Sequence, residues 1–167
     1  MSVSEPITLR APAVIDLMNE HDLLEVVEIE RESGVSPWGW NAYHRELQSE
    51  DRRLMLVARL VPNSHFSKAL AGYVVGRLAT DELHINNIAV RDEYRRTGLA
   101  TALLSQVLNE AKTYKAAKAY LEVRASNTAA QSLYEKCGFC VVGRRRNYYS
   151  NPPEDALIMS AEVGDSA

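Results

Sequence analysis

A chain of 167 residues is long enough for one domain with a substantial core and short for two. Its composition, 46% hydrophobic and 25% charged, is that of an ordinary globular protein, and no apolar run approaches the roughly 20 residues that span a bilayer. A net charge of −3, from 19 Lys and Arg against 22 Asp and Glu, gives no general attraction for nucleic acid or an anionic membrane and mildly favours a cationic partner.

The N-terminal segment carries no basic stretch followed by an apolar core, so we predict no secretory signal. We therefore expect a cytoplasmic location, where thiols stay reduced. Residues 1–11 are predicted to form a flexible tail and residues 12–164 a single domain.

The first half of the domain begins with an apolar segment at 13–18, which predicts a strand. Asn19, with an acid three residues later, is typical of a helix N-cap, and the amphipathic helix that follows is predicted to end at about Ser33. A second short helix is predicted at 40–48. Apolar, β-branched segments then predict three strands, at 53–61, 69–79 and 82–90.

In the second half, leucine and alanine at helical spacing predict a helix from Leu99 to about Tyr114. A strand, a helix and two final strands follow, at 118–124, 127–138, 139–149 and 155–163. Antiparallel strands followed by strand–helix–strand crossovers predict an α/β (α+β) fold with a single mixed, mostly antiparallel sheet flanked by helices. We expect its central strands, 82–90 and 118–124, to splay and leave a cleft with unpaired backbone groups.

The segment RRTGLA, Arg95 to Ala100, lies between a strand and a long helix. Gly98 and Ala100 allow a ligand to approach the backbone closely, and the first turn of a helix presents free N–H groups. With two arginines, this pattern favours an anion cradle of pyrophosphate size. An ordinary loop-to-helix connection has the same residues, so the segment alone leaves both interpretations open.

Glu122 interrupts an otherwise apolar strand, with Leu121 and Val123 on the opposite face. Because a buried carboxylate is costly, this side chain either reaches solvent or has a chemical role. Tyr134 lies on the helix that follows, and strand–loop–helix geometry can bring the two side chains to one cleft. The alternative is a solvated glutamate and a core tyrosine.

The two cysteines, Cys137 and Cys140, have the spacing of a redox dithiol or half of a metal site. Two cysteines do not complete a zinc site, and the four histidines have no ligand spacing near them. The pair follows a helix instead of preceding one, so the helix dipole raises the pKa of Cys137. We interpret the thiols as structural.

Three segments, NNIAVRDEYRRTGLATALL, LEVRASNTAAQSLYEKCGF and RRRNYY…EDALIM, resemble the GCN5-related N-acetyltransferases (GNAT). Within that superfamily they resemble the RimI-type ribosomal-protein-alanine N-acetyltransferases of bacteria. The resemblance runs from about Ala13 to Val163 and is densest from Asn87 to Met159. It implies the GNAT fold and acetyl-CoA as co-substrate, with no metal.

The resemblance also implies a set of cofactor-binding positions. Strand residues pair with the pantetheine arm as though it were an added strand, loop amides hold the pyrophosphate, and a helix N-terminal asparagine contacts the arm. These positions are Ile88, Ala89, Val90, Arg95, Arg96, Thr97, Gly98, Leu99, Ala100 and Asn127.

For catalysis, the resemblance implies Glu122 as general base and Tyr134 as general acid, with direct attack in a ternary complex and no acyl-enzyme. Trp38, Tyr148 and Tyr149 would bound the acceptor site. His84 and Asn86 depart from the family pattern near the acceptor side, and we interpret His84 as a satisfied strand histidine.

The predicted function is transfer of acetyl to the N-terminal α-amino group of a protein, with the N-terminal alanine of a small-subunit ribosomal protein as acceptor and no nucleic acid or membrane partner. A peptide α-amine, with a pKa of about 8 against about 10.4 for lysine, needs only a modest base. The alternatives are a lysine or small-amine acetyltransferase of the same fold, and a non-catalytic acyl-CoA sensor. The presence of both Glu122 and Tyr134 argues against a sensor.

Overall fold

The structure is a computed structural model that describes residues 13–61 and 68–164. The predicted tail at 1–11, most of the polar loop after the second strand and the last three residues lie outside the described residues. Within the described ranges, no helix is long and apolar enough to cross a membrane.

Within the described residues, seven strands and four α-helices follow one another in the predicted order. The strands are β1 Ala13–Leu17, β2 Met55–Leu60, β3 Leu70–Ala79, β4 Glu82–Val90, β5 Lys118–Arg124, β6 Cys140–Ser150 and β7 Pro153–Glu162. The helices are α1 Leu23–Ser33, α2 Trp40–Leu47, α3 Leu99–Thr113 and α4 Thr128–Lys136. Short 3-10 helices occupy Glu20–Asp22, Glu50–Leu54 and Asp92–Tyr94.

Local chemistry explains two helix boundaries. The Asn19 side chain accepts a hydrogen bond from the His21 N–H at 2.9 Å, and the Asn19 N–H donates to the Asp22 carboxylate at 2.9 Å, which is the predicted cap in the form of a capping box. It caps a 3-10 turn that leads into α1. The prediction that a strand starts at residue 53 is wrong by two residues, because Ser49 caps a 3-10 helix that extends to Leu54.

The strands form one sheet in the order β1-β2-β3-β4-β5-β7-β6. β4 and β5 are its parallel pair and the other neighbours are antiparallel, so the predicted mixed, mostly antiparallel sheet is confirmed. The β4–β5 ladder runs from Glu82 opposite Lys118 only to Ile85 opposite Leu121. Both strands continue beyond that point without pairing to each other, which is the predicted splay.

A β-bulge at Asn86 coincides with the point where β4 leaves β5. Ile85 lies opposite Gly76 and Asn87 lies opposite Val75, so β4 has one extra residue. Because side chains alternate along a strand, the bulge changes which face each later residue occupies. Ile85 packs under α3, whereas Asn87 faces α1 and α2.

The sheet separates two hydrophobic cores. One lies under α3 and α4 and includes the fully buried Leu103, Leu104 and Val107. The other lies under α1 and α2 and includes Leu23 and Ile29. Burying each such side chain stabilises the fold by about 1.5–3 kcal/mol, so both layers hold the splayed strands in place.

Candidate active site

A cleft of about 600 Å³ opens where β4 and β5 part. Strand residues form its floor, the loop between α1 and α2 forms one wall, and β6 forms the opposite wall. Among the predicted site residues it brings together Glu122, Tyr134, Ile88, Asn127, Trp38, Tyr148 and Tyr149. The remaining predicted cofactor residues, Ala89, Val90 and the loop from Arg95 to Ala100, do not line this cleft and continue the chain from the same end of β4.

Glu122 extends from β5 into the cleft, while its neighbours Leu121 and Val123 are buried in the core on the other face. Its side chain is 28% exposed, so the carboxylate reaches the space between the strands. Arg145 Nε lies 2.9 Å from Glu122 Oε1. The Tyr148 hydroxyl also hydrogen-bonds Glu122, and this bond, together with partial burial, raises the pKa of Tyr148 to about 12.

An irregularity in β6 explains how both Arg145 and Tyr148 reach Glu122. Residues three apart on a regular strand point to opposite faces. The β6–β7 register shifts between Arg145 and Tyr149, and Asn147 within this bulge has a φ of 51°. The Asp155 carboxylate accepts the Asn147 N–H at 2.9 Å and so stabilises the bulge.

Tyr134 enters the cleft from α4, at the opposite side of the strand gap. It is 8% exposed and packs in the core beside Phe139, with ring centroids 6.1 Å apart. Burial raises the pKa of the phenol above its ordinary value, so the hydroxyl keeps its proton at neutral pH. Tyr134 is therefore both a core residue and a cleft residue.

The predicted acceptor-side aromatics lie on the two walls of the cleft. Trp38, on the α1–α2 loop, packs against Tyr43 with centroids 5.3 Å apart. Tyr148 and Tyr149 meet edge to face at 5.1 Å, and the Arg124 guanidinium lies 4.2 Å from the Tyr149 ring centroid. Neither tyrosine is in the buried core, because Tyr148 is 48% exposed and Tyr149 is half-buried.

The segment from Arg95 to Ala100 has the geometry of an open helix N-terminus. Gly98 has a φ of 86°, which only glycine adopts readily, and a Cβ placed there would meet nothing within 4 Å. The first N–H to reach back to this residue is that of Ala102, at 3.0 Å from the Gly98 carbonyl. The amides of Leu99 and Ala100 thus precede the helical hydrogen bonds of α3 and are oriented as anion donors.

Two side chains in that segment have structural partners. Arg95 lies 3.0 Å from the Asp92 carboxylate, and the Thr97 hydroxyl donates to the Tyr94 carbonyl. The predicted anion cradle would therefore depend mainly on the backbone N–H groups of the segment. Asn127 likewise has a structural partner, because its side chain accepts the Ala130 N–H at 3.1 Å and caps α4, in addition to lining the cleft.

Sequence reasoning missed Arg145, Glu30 and Asn87. Arg145 stands in a basic run on an exposed strand, where nothing in the sequence shows that the β5–β7–β6 order places it beside Glu122. Glu30 lies on the buried face of α1, so its position in the helical pattern was the available signal. Asn87 is buried because of the bulge at Asn86, and no feature of the sequence pattern indicates a bulge there.

The surroundings of His84 and of the two cysteines fit the structural roles predicted for them. His84 Nε2 lies 3.2 Å from Glu82, and its ring stacks on Tyr120 at 5.7 Å. Cys137 ends α4 and burial raises the pKa of its thiol, while Cys140 is exposed and both thiols are free. Within residues 13–61 and 68–164, no group of three or more His, Cys, Asp or Glu side chains is arranged to hold a metal ion.

Comparison with known proteins gives a consistent result. The family model described as Acetyltransferase (GNAT) family matches residues 23–139. The ribosomal protein bS18-alanine N-acetyltransferase of Escherichia coli (strain K12) is 34% identical over 151 residues, covering 89% of this chain and 97% of that protein. The N-alpha-acetyltransferase RimI of Mycobacterium tuberculosis (strain ATCC 25618 / H37Rv) is 32% identical over 165 residues, covering 92% and 95%.

A solved structure extends the similarity to the fold. The crystal structure of the ribosomal-protein-S18-alanine N-acetyltransferase from Escherichia coli superposes with a TM-score of 0.78 at 32% identity, covering 93% of this chain and 96% of that chain. The predicted resemblance, the predicted fold and the prediction of an N-acetyltransferase are thereby confirmed. This chain belongs to the acetyltransferase (GNAT) family.

Proposed function

We propose that this enzyme transfers acetyl from acetyl-CoA to the N-terminal α-amino group of a protein, and that its acceptor is the N-terminal alanine of a small-subunit ribosomal protein. The observation that carries the proposal is the meeting of Glu122 and Tyr134 in one cleft, from opposite sides of the gap between β4 and β5. Relatives named as bS18-alanine N-acetyltransferases support this acceptor. A cytoplasmic location follows from a ribosomal acceptor.

The proposed position of acetyl-CoA follows the free backbone of the gap. Ile88, Ala89 and Val90 pair with β3 but lie beyond the last β4–β5 pair, so their backbone groups that face β5 have no strand partner and are proposed to bind an extended pantetheine arm. The amides from Arg95 to Ala100 would hold the pyrophosphate at the open turn before α3, with Asn127 beside the arm. Acetyl-CoA supplies the activated acyl group, and the chain supplies the rest of the chemistry.

We assign Glu122 as the general base. An amine attacks a thioester only as the neutral base, and an α-ammonium with a pKa of about 8 is a substantial fraction of the population at neutral pH. The carboxylate reaches the cleft from β5 and can take the proton directly or through one water. Arg145 and Tyr148 hold the carboxylate in that orientation.

We assign Tyr134 as the donor to the departing sulfur. A thiol has an ordinary pKa of about 8.5, and burial keeps the pKa of Tyr134 above the phenolic value of about 10. Complete proton transfer to a free thiolate is therefore uphill. A hydrogen bond donated by the hydroxyl while negative charge grows on sulfur still stabilises the transition state; the departed thiolate then takes a proton from solvent, and Glu122 releases the amine proton to solvent.

The proposed acceptor site lies between Trp38 on one wall and Tyr148 and Tyr149 on the other. The aromatic walls would accommodate a peptide that enters with its N-terminus first. The carboxylates of Glu82 and Glu122 in the same cleft would attract the positive charge of that N-terminus. The net charge of −3 favours a basic acceptor protein.

The test is an acetylation assay with short peptides that begin with Ala or Ser, compared with an N-blocked peptide that carries a lysine. We expect acetyl transfer to the free α-amine of the Ala-first and Ser-first peptides, measured by mass spectrometry. Acetylation of the blocked lysine peptide alone would instead support a lysine acetyltransferase. Acetyl-CoA binding without transfer to any amine would support the sensor alternative.

A further inference from the structure

A buried carboxylate lies beneath the loop that forms one wall of the cleft. Glu30, one turn before the end of α1, is 2% exposed. Its oxygens accept hydrogen bonds from the backbone N–H of Trp38 at 3.1 Å and of Gly39 at 3.2 Å, and from the Tyr43 hydroxyl. Glu30 itself does not line the cleft, whereas Trp38 does.

The same network ties the loop to β4. Asn87, 5% exposed, donates its side-chain N–H groups to the Tyr43 hydroxyl at 2.9 Å and to the Ser36 carbonyl at 3.1 Å. Asn87 immediately precedes Ile88, the first residue proposed to bind the pantetheine arm. Asn87 on β4 therefore holds the α1–α2 loop at Ser36, and Glu30 holds it at Trp38 and Gly39.

The chemistry of this position requires a carboxylate. Three donors converge on Glu30, two backbone N–H groups and one hydroxyl, and an ionised carboxylate is a pure acceptor with room for all three. Glutamine has the same shape, but its amide would direct N–H groups at some of these donors. The loop amides and the phenol replace the hydrogen bonds to water that a buried carboxylate loses.

We infer that Glu30, together with Tyr43 and Asn87, fixes the acceptor wall of the cleft relative to β4, and that Glu30 is a positioning residue for the acceptor amine. This inference rests on the proposed function for the identity of the acceptor. Its physical content is that a shift of the 34–39 loop moves Trp38 relative to Glu122, so the amine meets the carboxylate in a poorer geometry. Acetyl-CoA binding, on the other side of β4, does not depend on the loop.

The test compares Glu30→Gln with Tyr73→Phe as a matched control. The Tyr73 hydroxyl belongs to the same buried network, because it lies 2.9 Å from the Tyr43 hydroxyl, and within the described residues it makes no hydrogen bond to the loop. Both variants should unfold at a lower temperature than the wild type. Only Glu30→Gln should raise the KM for an Ala-first peptide, by about tenfold to a hundredfold, with an unchanged Kd for acetyl-CoA. Equal peptide KM values in the two variants overturn the inference.

Amide hydrogen exchange at Trp38 and Gly39 provides a readout that does not depend on activity. We expect faster exchange in Glu30→Gln and wild-type exchange in Tyr73→Phe; unchanged protection in Glu30→Gln refutes the inference. If Glu30→Gln does not fold, Asn87→Ala releases Ser36 instead and carries the same kinetic prediction. A wild-type enzyme that acetylates no peptide α-amine refutes the proposed function, whereas the exchange rates still decide whether Glu30 holds the loop.

Discussion

The Glu122 carboxylate contacts the Arg145 guanidinium and the Tyr148 hydroxyl, so an acceptor ammonium bound as we propose has to enter a site that already contains Arg145. An exposed guanidinium exchanges its partners at little cost, because ion pairs in contact with water contribute only about 0–1 kcal/mol. The pair therefore orients the carboxylate without blocking it. Entry of a cation then replaces one ion pair with another.

Replacing Glu122 with Gln should lower kcat/KM for an Ala-first peptide by about 10²–10⁴. The loss should be greatest at low pH, where most of the amine is protonated and a base is needed, and should shrink as the pH rises past the amine pKa of about 8. The measurement is a pH–rate profile, with Glu82→Gln, another carboxylate of the cleft, as the control. A loss of equal size at every pH would remove the general-base role.

Replacing Tyr134 with Phe removes one hydroxyl and leaves the ring that packs beside Phe139. We expect kcat to fall by about 10²-fold or more, because the donated hydrogen bond acts on charge that develops on the sulfur. The Kd for acetyl-CoA, measured by calorimetry, should stay close to the wild-type value. Full turnover in this variant would show that the phenol is not the donor.

Candidate site residues could be predicted from the sequence where an unusual side chain stands in a recognisable strand or helix pattern. A carboxylate in an apolar strand and a tyrosine on the next helix are visible in the sequence, and the structure places both in one cleft. Arg145 and Glu30 were not found, because their importance depends on neighbours that are 23 and 8 residues away in the chain and meet only after folding.

At the N-terminus of α4, one residue contributes both to the stability of the helix and to the proposed binding of acetyl-CoA. Asn127 caps the helix that carries Tyr134, and it lines the cleft. The two functions of the side chain can be separated, because serine caps a helix nearly as well as asparagine but is shorter.

We predict that Asn127→Ala lowers the free energy of unfolding by about 1 kcal/mol through loss of the cap, whereas Asn127→Ser retains most of the stability. Both variants should bind acetyl-CoA more weakly, because both lack the amide proposed to contact its arm. Thermal melts and calorimetric Kd values check the two effects. Wild-type affinity in Asn127→Ser would leave this residue with a capping role alone.

The types of the elements and their order could be predicted from the hydrophobic period, the helix caps and the turn residues. The sequence therefore predicted, in order, all seven strands and four α-helices that the described residues form. The bulge at Asn86 and the bulge between Arg145 and Tyr149 were not predicted, because inserted residues change the strand period without any characteristic composition. These bulges decide the site: one directs Asn87 toward the loop network, and the other brings Arg145 and Tyr148 to one face.

For the whole molecule, three carboxylates with lowered pKa values predict how the stability depends on pH. A hydrogen bond from Arg59 holds the pKa of Asp16 below its ordinary value, and the Asn147 N–H does the same for Asp155. The pKa of Glu28 is lowered as well. Carboxylates with depressed pKa values in the folded state stabilise it above their unfolded pKa of about 4, and this stability is lost as the pH falls through the folded values.

The melting temperature should therefore be nearly constant from about pH 7 to 5 and should fall steadily below about pH 4.5. Differential scanning calorimetry at a series of pH values measures this. In Asp155→Asn the fall should be shallower, since one titrating group is lost. A melting temperature that rises on acidification would contradict the sign of these pKa shifts.

We propose that the gap between β4 and β5 holds the thioester with Glu122 on the amine side and Tyr134 on the sulfur side. A crystal structure with CoA and an Ala-first peptide tests it most directly. We predict that the peptide N-terminal nitrogen lies within about 3.2 Å of a Glu122 oxygen, directly or through one water, and that the CoA sulfur lies beside the Tyr134 hydroxyl. A lysine amine beside Glu122, or a CoA sulfur remote from the Tyr134 hydroxyl, would contradict this arrangement.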